Sequence, residues 1–175
     1  MSSSPETPHD GEHGAALLRD EQPLSGVSAY EAAIDKLIDM ALGRIRIFDR
    51  SLNRAHNAQA RTDALRRFLL ADKANRVAIV VHDADRIRLD CPRLVALQRY
   101  FAHAVSIHRT QPIARGVYDP FCVVDGSHYA RRFHFDNARG ILVLNDADGA
   151  GLLVQRFEEI WEASQPAVTG TILGL

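Results

Sequence analysis

The sequence predicts an α/β fold: a mixed, mostly parallel sheet flanked by helices on both faces. Three observations carry that prediction. Strand-like and helix-like apolar patterns alternate along the chain, which implies right-handed crossovers between parallel strands. The run Val77-Ala78-Ile79-Val80-Val81 is continuously apolar, as expected of a central strand covered on both sides. A closing segment carries Leu153, Phe157, Ile160 and Trp161 at helical spacing, which gives one apolar face to lay against a sheet.

The opening residues, MSSSPETPHDGEHGAALLRDEQPLSG, mix Ser, Pro, Gly and acids without an apolar period. Such a segment cannot bury enough surface to offset its ordering entropy, so residues 1–26 are expected to be a disordered acidic tail and residues 27–175 a single domain. Ser28 with Glu31 makes a capping box before Ile34, Leu37, Ile38 and Ala41, which predicts a first helix over about 28–42. Arg44-Ile45-Arg46-Ile47-Phe48 alternates polar and apolar like a half-buried strand. A second helix follows over roughly 56–72, with Ala58, Leu65, Phe68 and Leu69 on one face. After the central strand, Pro92 opens a helix with Leu94, Val95, Leu97, Tyr100 and Phe101, and Val105-Ser106-Ile107 is a short strand. Phe121–Val124 and the segment from His128 flank Asp125-Gly126 as a hairpin, Ile141–Leu144 is a further strand, and Ala163–Pro166 ends the last helix.

Composition excludes several classes. The 175 residues are 46% hydrophobic and 25% charged, an ordinary soluble balance. No stretch approaches the roughly 20 apolar residues that cross a bilayer, and residues 1–26 hold no secretory apolar core, so the expected location is cytoplasmic. Cys91 and Cys122 fit neither a disulfide framework nor a metal-ligand spacing, and no metal or cofactor is expected. The net charge of −1 splits into −4 for residues 1–26, five acids against Arg19, and +3 for the arginine-rich remainder. Arginine's planar fork suits phosphate and carboxylate, which leaves an anionic ligand open.

The stretch Val117-Tyr118-Asp119-Pro120-Phe121-Cys122-Val123-Val124-Asp125-Gly126, followed later by Phe157-x-x-x-Trp161, resembles the active-site strand and closing helix of the phospholipase D superfamily. The resemblance spans about residues 28–165 and implies a phospholipase D-like fold. That family carries His-x-Lys-x4-Asp on the strand, and two half-sites meet in one catalytic centre. Laid on this sequence, the histidine falls at Tyr118, the lysine at Pro120 and the aspartate at Asp125. The resemblance therefore implies an inactive single half-site, comparable to uncharacterised bacterial domains of this fold, and a twofold homodimer. A phenol ionises only near pH ~10 and proline has neither charge nor donor, so neither replaces the missing groups at neutral pH.

Ligand binding is expected instead along residues 128–136. Period-two alternation places His128, Ala130, Arg132, His134 and Asp136 on one strand face, with Asn137 and Arg139 following. Two imidazoles, a guanidinium and a carboxylate on one face suit an anion, phosphate above all. The expected function is a binding or interaction module for a protein partner or an anionic ligand, with nucleic acid among the anions. The alternative is a divergent phosphodiesterase or nuclease using His128 or His134 with Arg132 as the clamp. Asp49, Asp83 and Asp85 follow strands and read as helix caps rather than a Mg²⁺ edge, as do Asp146 and Asp148 before the last helix.

Overall fold

A single eight-stranded sheet organises the computed structural model, which describes residues 18–168. The strands lie in the order β1 (Asp20–Ser25), β7 (Arg139–Leu144), β6 (His128–Arg132), β5 (Phe121–Val124), β2 (Arg44–Ser51), β3 (Arg76–Asp83), β4 (Val105–Thr110) and β8 (Ser164–Pro166). Helices α1 (Val27–Met40), α2 (Gln59–Ala71), α3 (Ile87–Asp90) and α4 (Pro92–Tyr100) cover one face, and α5 (Ala147–Glu162) covers the other. Ile45, Ile47, Val77, Ile79 and Val81 belong to the first core, while Phe48, Val80, Val123 and Val143 meet Leu153, Phe157 and Ile160 in the second.

The α/β class and the helices on both faces match the expectation, but the parallel majority does not. Only β2–β3 and β3–β4 pair in parallel, and the other five pairings are antiparallel. Parallel neighbours need a crossover of about a dozen residues or more. The β5–β6 and β6–β7 connections are too short for one, and β1 and β8 add themselves to the two edges in the antiparallel sense.

Residues 1–17 of the expected acidic tail, and residues 169–175 at the other end, lie outside the described residues. Asp20–Ser25, placed in that tail by composition, instead forms β1 along the full length of β7. Its stability comes from the backbone ladder, so its side chains remain mostly exposed and give no apolar signal. The capping box also fails: Gly26, at φ 96°, precedes α1, and Ser28 lies within its first turn. Glu31 is drawn sideways to buried Arg61 of α2, whose Nη1 donates to Glu31 Oε2 at 2.8 Å and whose Nε donates to Asp35 Oδ1 at 2.6 Å.

Asp125 and Gly126 turn the β5–β6 hairpin as expected, both with positive φ (52° and 66°). The Asp125 carboxylate accepts three backbone N–H bonds, from Leu42 at 2.7 Å and from Gly43 and Arg44 at 2.8 Å each. It thereby locks the α1–β2 loop to the hairpin. The strand expected over 128–136 stops at Arg132, because the chain turns through Phe133–Ala138 into β7. Asp146 caps α5 as expected, accepting from the Gly149 N–H at 3.0 Å. Cys91 and Cys122 are free and buried, and burial pushes their thiols up to about 11 and about 12.

Candidate functional site

The carboxyl ends of β2, β3 and β4 lie side by side, the position where open α/β sheets hold ligands. The segment from Arg115 to Pro120 and the Phe133–Ala138 turn close over this edge, tied by the Phe135 N–H donating to the Tyr118 carbonyl at 2.7 Å. The floor is aromatic. Phe48, His82 and Phe135 meet with ring centroids 5.2 to 6.0 Å apart.

His82 is 4% exposed, and burial holds its pKa below the ordinary imidazole value. Its Nε2 lies 2.7 Å from the Val117 carbonyl, which can only accept, so Nε2 carries the proton and Nδ1 accepts from the Thr110 hydroxyl at 2.7 Å. His82 thus pins β4 and the covering segment to the end of β3 and has no free nitrogen for chemistry.

Above the floor, Tyr118 and His134 stack at 5.5 Å, and the Asp136 N–H donates to His134 Nδ1 at 3.1 Å. The Arg50 guanidinium sits 5.1 Å over the Phe135 ring and donates to Asp136 Oδ1 at 3.2 Å. Arg115 pairs with Asp83 at 2.9 Å and Arg109 with Asp85 at 3.4 Å, all four side chains being well exposed. Asp83 and Asp85 therefore hold arginines rather than cap helices. Asp49 is buried and accepts from the Arg50 N–H at 2.6 Å, so it caps no helix either. Among the described residues no group of three or more His, Cys, Asp or Glu side chains is placed to hold a metal ion.

Of the residues singled out in the sequence, Tyr118, His134 and Asp136 come together at this edge. Arg132 lies beneath it, 9% exposed, with Nε donating to the Asn137 carbonyl and Nη2 to the Phe135 carbonyl. Its guanidinium, 5.7 Å from the Tyr30 ring, builds the turn from inside and does not share a surface with His134. Asn137 Oδ1 accepts from the Arg139 N–H at 2.9 Å, and Pro120 offers its carbonyl to the Arg132 N–H, so these residues shape the same turn. His128 is at the opposite edge of the sheet, where Nδ1 accepts from the Asn145 N–H, and Asp125 is there with it. The single polar face expected over 128–136 does not form, because its alternation requires an extended backbone past Arg132. Arg50, His82, Arg115 and Phe135 were not legible as site residues. His82 directly follows the apolar run Val77–Val81, which is the only local signal any of them gives.

This architecture is that of the phospholipase D-like proteins. The chain aligns with Nuc from Salmonella typhimurium, a phospholipase D family member, at TM-score 0.58 and 18% identity, covering 85% of this chain and 98% of that one. NucT from Helicobacter pylori aligns at TM-score 0.52 and 12% identity, over 85% and 99% of the respective chains. TrmBL2, an archaeal chromatin protein with its own mode of DNA binding, aligns at TM-score 0.62 and 12% identity, over 86% of this chain and 55% of that one. At such identities these likenesses establish the fold. By sequence, residues 27–169 match the family described as Domain of unknown function (DUF7931), and the chain belongs to that family. No curated protein matches the sequence. Among the described residues no helix is long and apolar enough to cross a membrane.

Proposed function

We propose that this chain is a phosphate-recognising binding module of the phospholipase D-like fold that lacks hydrolytic activity and works as a twofold homodimer. The observation that carries the reading is the pair Tyr118 and Pro120, standing where the resemblance expects an attacking or proton-donating imidazole and a charge-stabilising lysine. Tyr118 is half-exposed and stacked on His134, and Pro120 contributes only a carbonyl to the β6 backbone. What the edge retains is cationic grip. Arg50, Arg109 and Arg115 stand in exposed pairs with Asp136, Asp85 and Asp83. Such pairs contribute about 0–1 kcal/mol each, so an arriving phosphate competes for those guanidinium groups on favourable terms.

The phosphodiesterase alternative finds little support in the geometry. His128 is at the far edge, and freeing Arg132 as a clamp would dismantle the Phe133–Ala138 turn. A single half-site implies pairing with a second copy, and TrmBL2 makes nucleic acid the first polyanion to test. A fluorescent single-stranded oligonucleotide titrated by anisotropy is expected to bind saturably, more weakly as salt rises, and roughly tenfold more weakly to Arg50→Ala/Arg115→Ala. The same sample is expected to sediment at twice the 19.4 kDa chain mass. Salt-independent binding, or equal binding by the double variant, would remove the carboxyl edge from the account, and a monomer would remove the pairing.

A further inference from the structure

The opposite, amino edge of the parallel strands carries a second cationic feature. On the α5 side, Arg44 and Arg46 open β2, Arg76 opens β3, and Ala78 and Ser106 follow on β3 and β4. Register sets Arg44 directly beside Arg76, Arg46 beside Ala78, and Ala78 beside Ser106. The small side chains leave a cavity of about 230 Å³ beneath the last turns of α5, closed by Phe157, Glu158 and Trp161 and bordered by His103.

The charge in this cavity is unbalanced. Three arginines face one lining carboxylate, Glu158, which among the described residues accepts from Arg46 Nε alone, at 3.0 Å. Arg76 Nη1 donates to the Lys73 and Asn75 carbonyls at 2.7 and 2.9 Å, which fixes the side chain without neutralising it. Among the described residues the Arg44 side chain has no hydrogen-bond acceptor, and neither do the terminal nitrogens of Arg46. Arg44 and Arg76 stand side by side on neighbouring parallel strands, and among the described residues no acid pairs with either. By contrast, the groove between Ile113 and α5 holds one arginine, Arg156, which pairs with Asp119.

We infer that this cavity is a second anion site, distinct from the carboxyl edge, which takes the phosphate group of a small phosphorylated molecule. Arg44 and Arg76 supply paired donors from two strands, and the terminal nitrogens of Arg46, held by Glu158, supply a third set. The volume fits a phosphate or pyrophosphate moiety and little else beneath α5, so any remaining part of a larger ligand extends outward past His103.

Trp161 is the only tryptophan of the chain and lines the cavity, its ring held by stacking on His108 at 3.7 Å. Its emission is therefore a local probe. Titration with inorganic pyrophosphate is expected to change Trp161 emission saturably in the wild type and equally in Arg50→Ala, which separates this cavity from the carboxyl edge. Arg44→Gln and Arg76→Gln are each expected to weaken the response about tenfold or more. Arg44→Gln is expected to melt at the wild-type temperature, whereas Arg76→Gln gives up two hydrogen bonds, to the Lys73 and Asn75 carbonyls. Arg44→Gln alone suffices if Arg76→Gln fails to fold, since the Arg44 side chain ties down no neighbour. A parallel titration with ADP distinguishes the sources: a response at lower concentration than pyrophosphate assigns a nucleotide, and an equal response assigns the phosphate groups alone. No change in wild-type emission up to ~10 mM of either probe, or an undiminished response in Arg44→Gln, would overturn the inference.

Discussion

Asp49 lies on the α1 side of β2, 8% exposed, and burial raises its carboxyl from the ordinary 3.8 to about 7, with the Arg50 N–H and the nearby Arg132 and Arg50 charges opposing that rise. Between those two values the unfolded chain has released the proton while the fold still holds it. Stability therefore falls as pH rises from about 4 to about 7 and stays reduced above. His56 works in the opposite direction: burial pushes it down to about 4, so its contribution is lost as pH falls from 6.5 towards 4. Because His56 titrates in both proteins, comparing Asp49→Asn with wild type isolates Asp49. The variant is expected to be more stable at pH 8, by on the order of 2–4 kcal/mol, and no more stable near pH 4, by urea unfolding at both pH values. A pH-independent difference would show that Asp49 ionises normally. In the sequence Asp49 follows a strand and reads as a helix cap. Its burial depends on α1 crossing over it, and no local pattern encodes that.

Among the elements, the β5–β6 hairpin was the most legible and the β6–β7 connection the least. Asp125-Gly126 announces a tight turn by residue type, since both positions need positive φ. The carboxylate's second task, gathering three N–H groups of the α1–β2 loop, joins residues about 80 positions apart in the chain and leaves no local signature. Asp125→Ala is accordingly expected to cost about 3 kcal/mol in chemical denaturation, because three donors lose a charged acceptor. A loss below about 0.5 kcal/mol would mean that water replaces the carboxylate at that loop. The strand expected through 128–136 ends at Arg132, and polar and aromatic residues go on alternating while the backbone turns. Arg132 decides the matter by holding two carbonyls of the turn. Gly140 lets β7 approach closely there, since a Cβ at that position would collide with the Arg131 carbonyl oxygen.

At the scale of the molecule, the parallel centre β2–β3–β4 was legible from its apolar runs, and the antiparallel remainder was not. Edge strands β1 and β8 are short and polar, so their pairing is a property of the sheet they join rather than of their own residues. The same sheet carries arginines at both ends of its parallel strands, those at the carboxyl edge paired with Asp83, Asp85 and Asp136 and those at the amino edge facing Glu158. The central claim is that the carboxyl edge binds phosphate without cleaving it, and hydrolysis of bis(p-nitrophenyl) phosphate tests it most directly. Wild type and His134→Ala are both expected to release nitrophenol no faster than buffer. A protein-dependent rate in the wild type that disappears in His134→Ala would contradict the account.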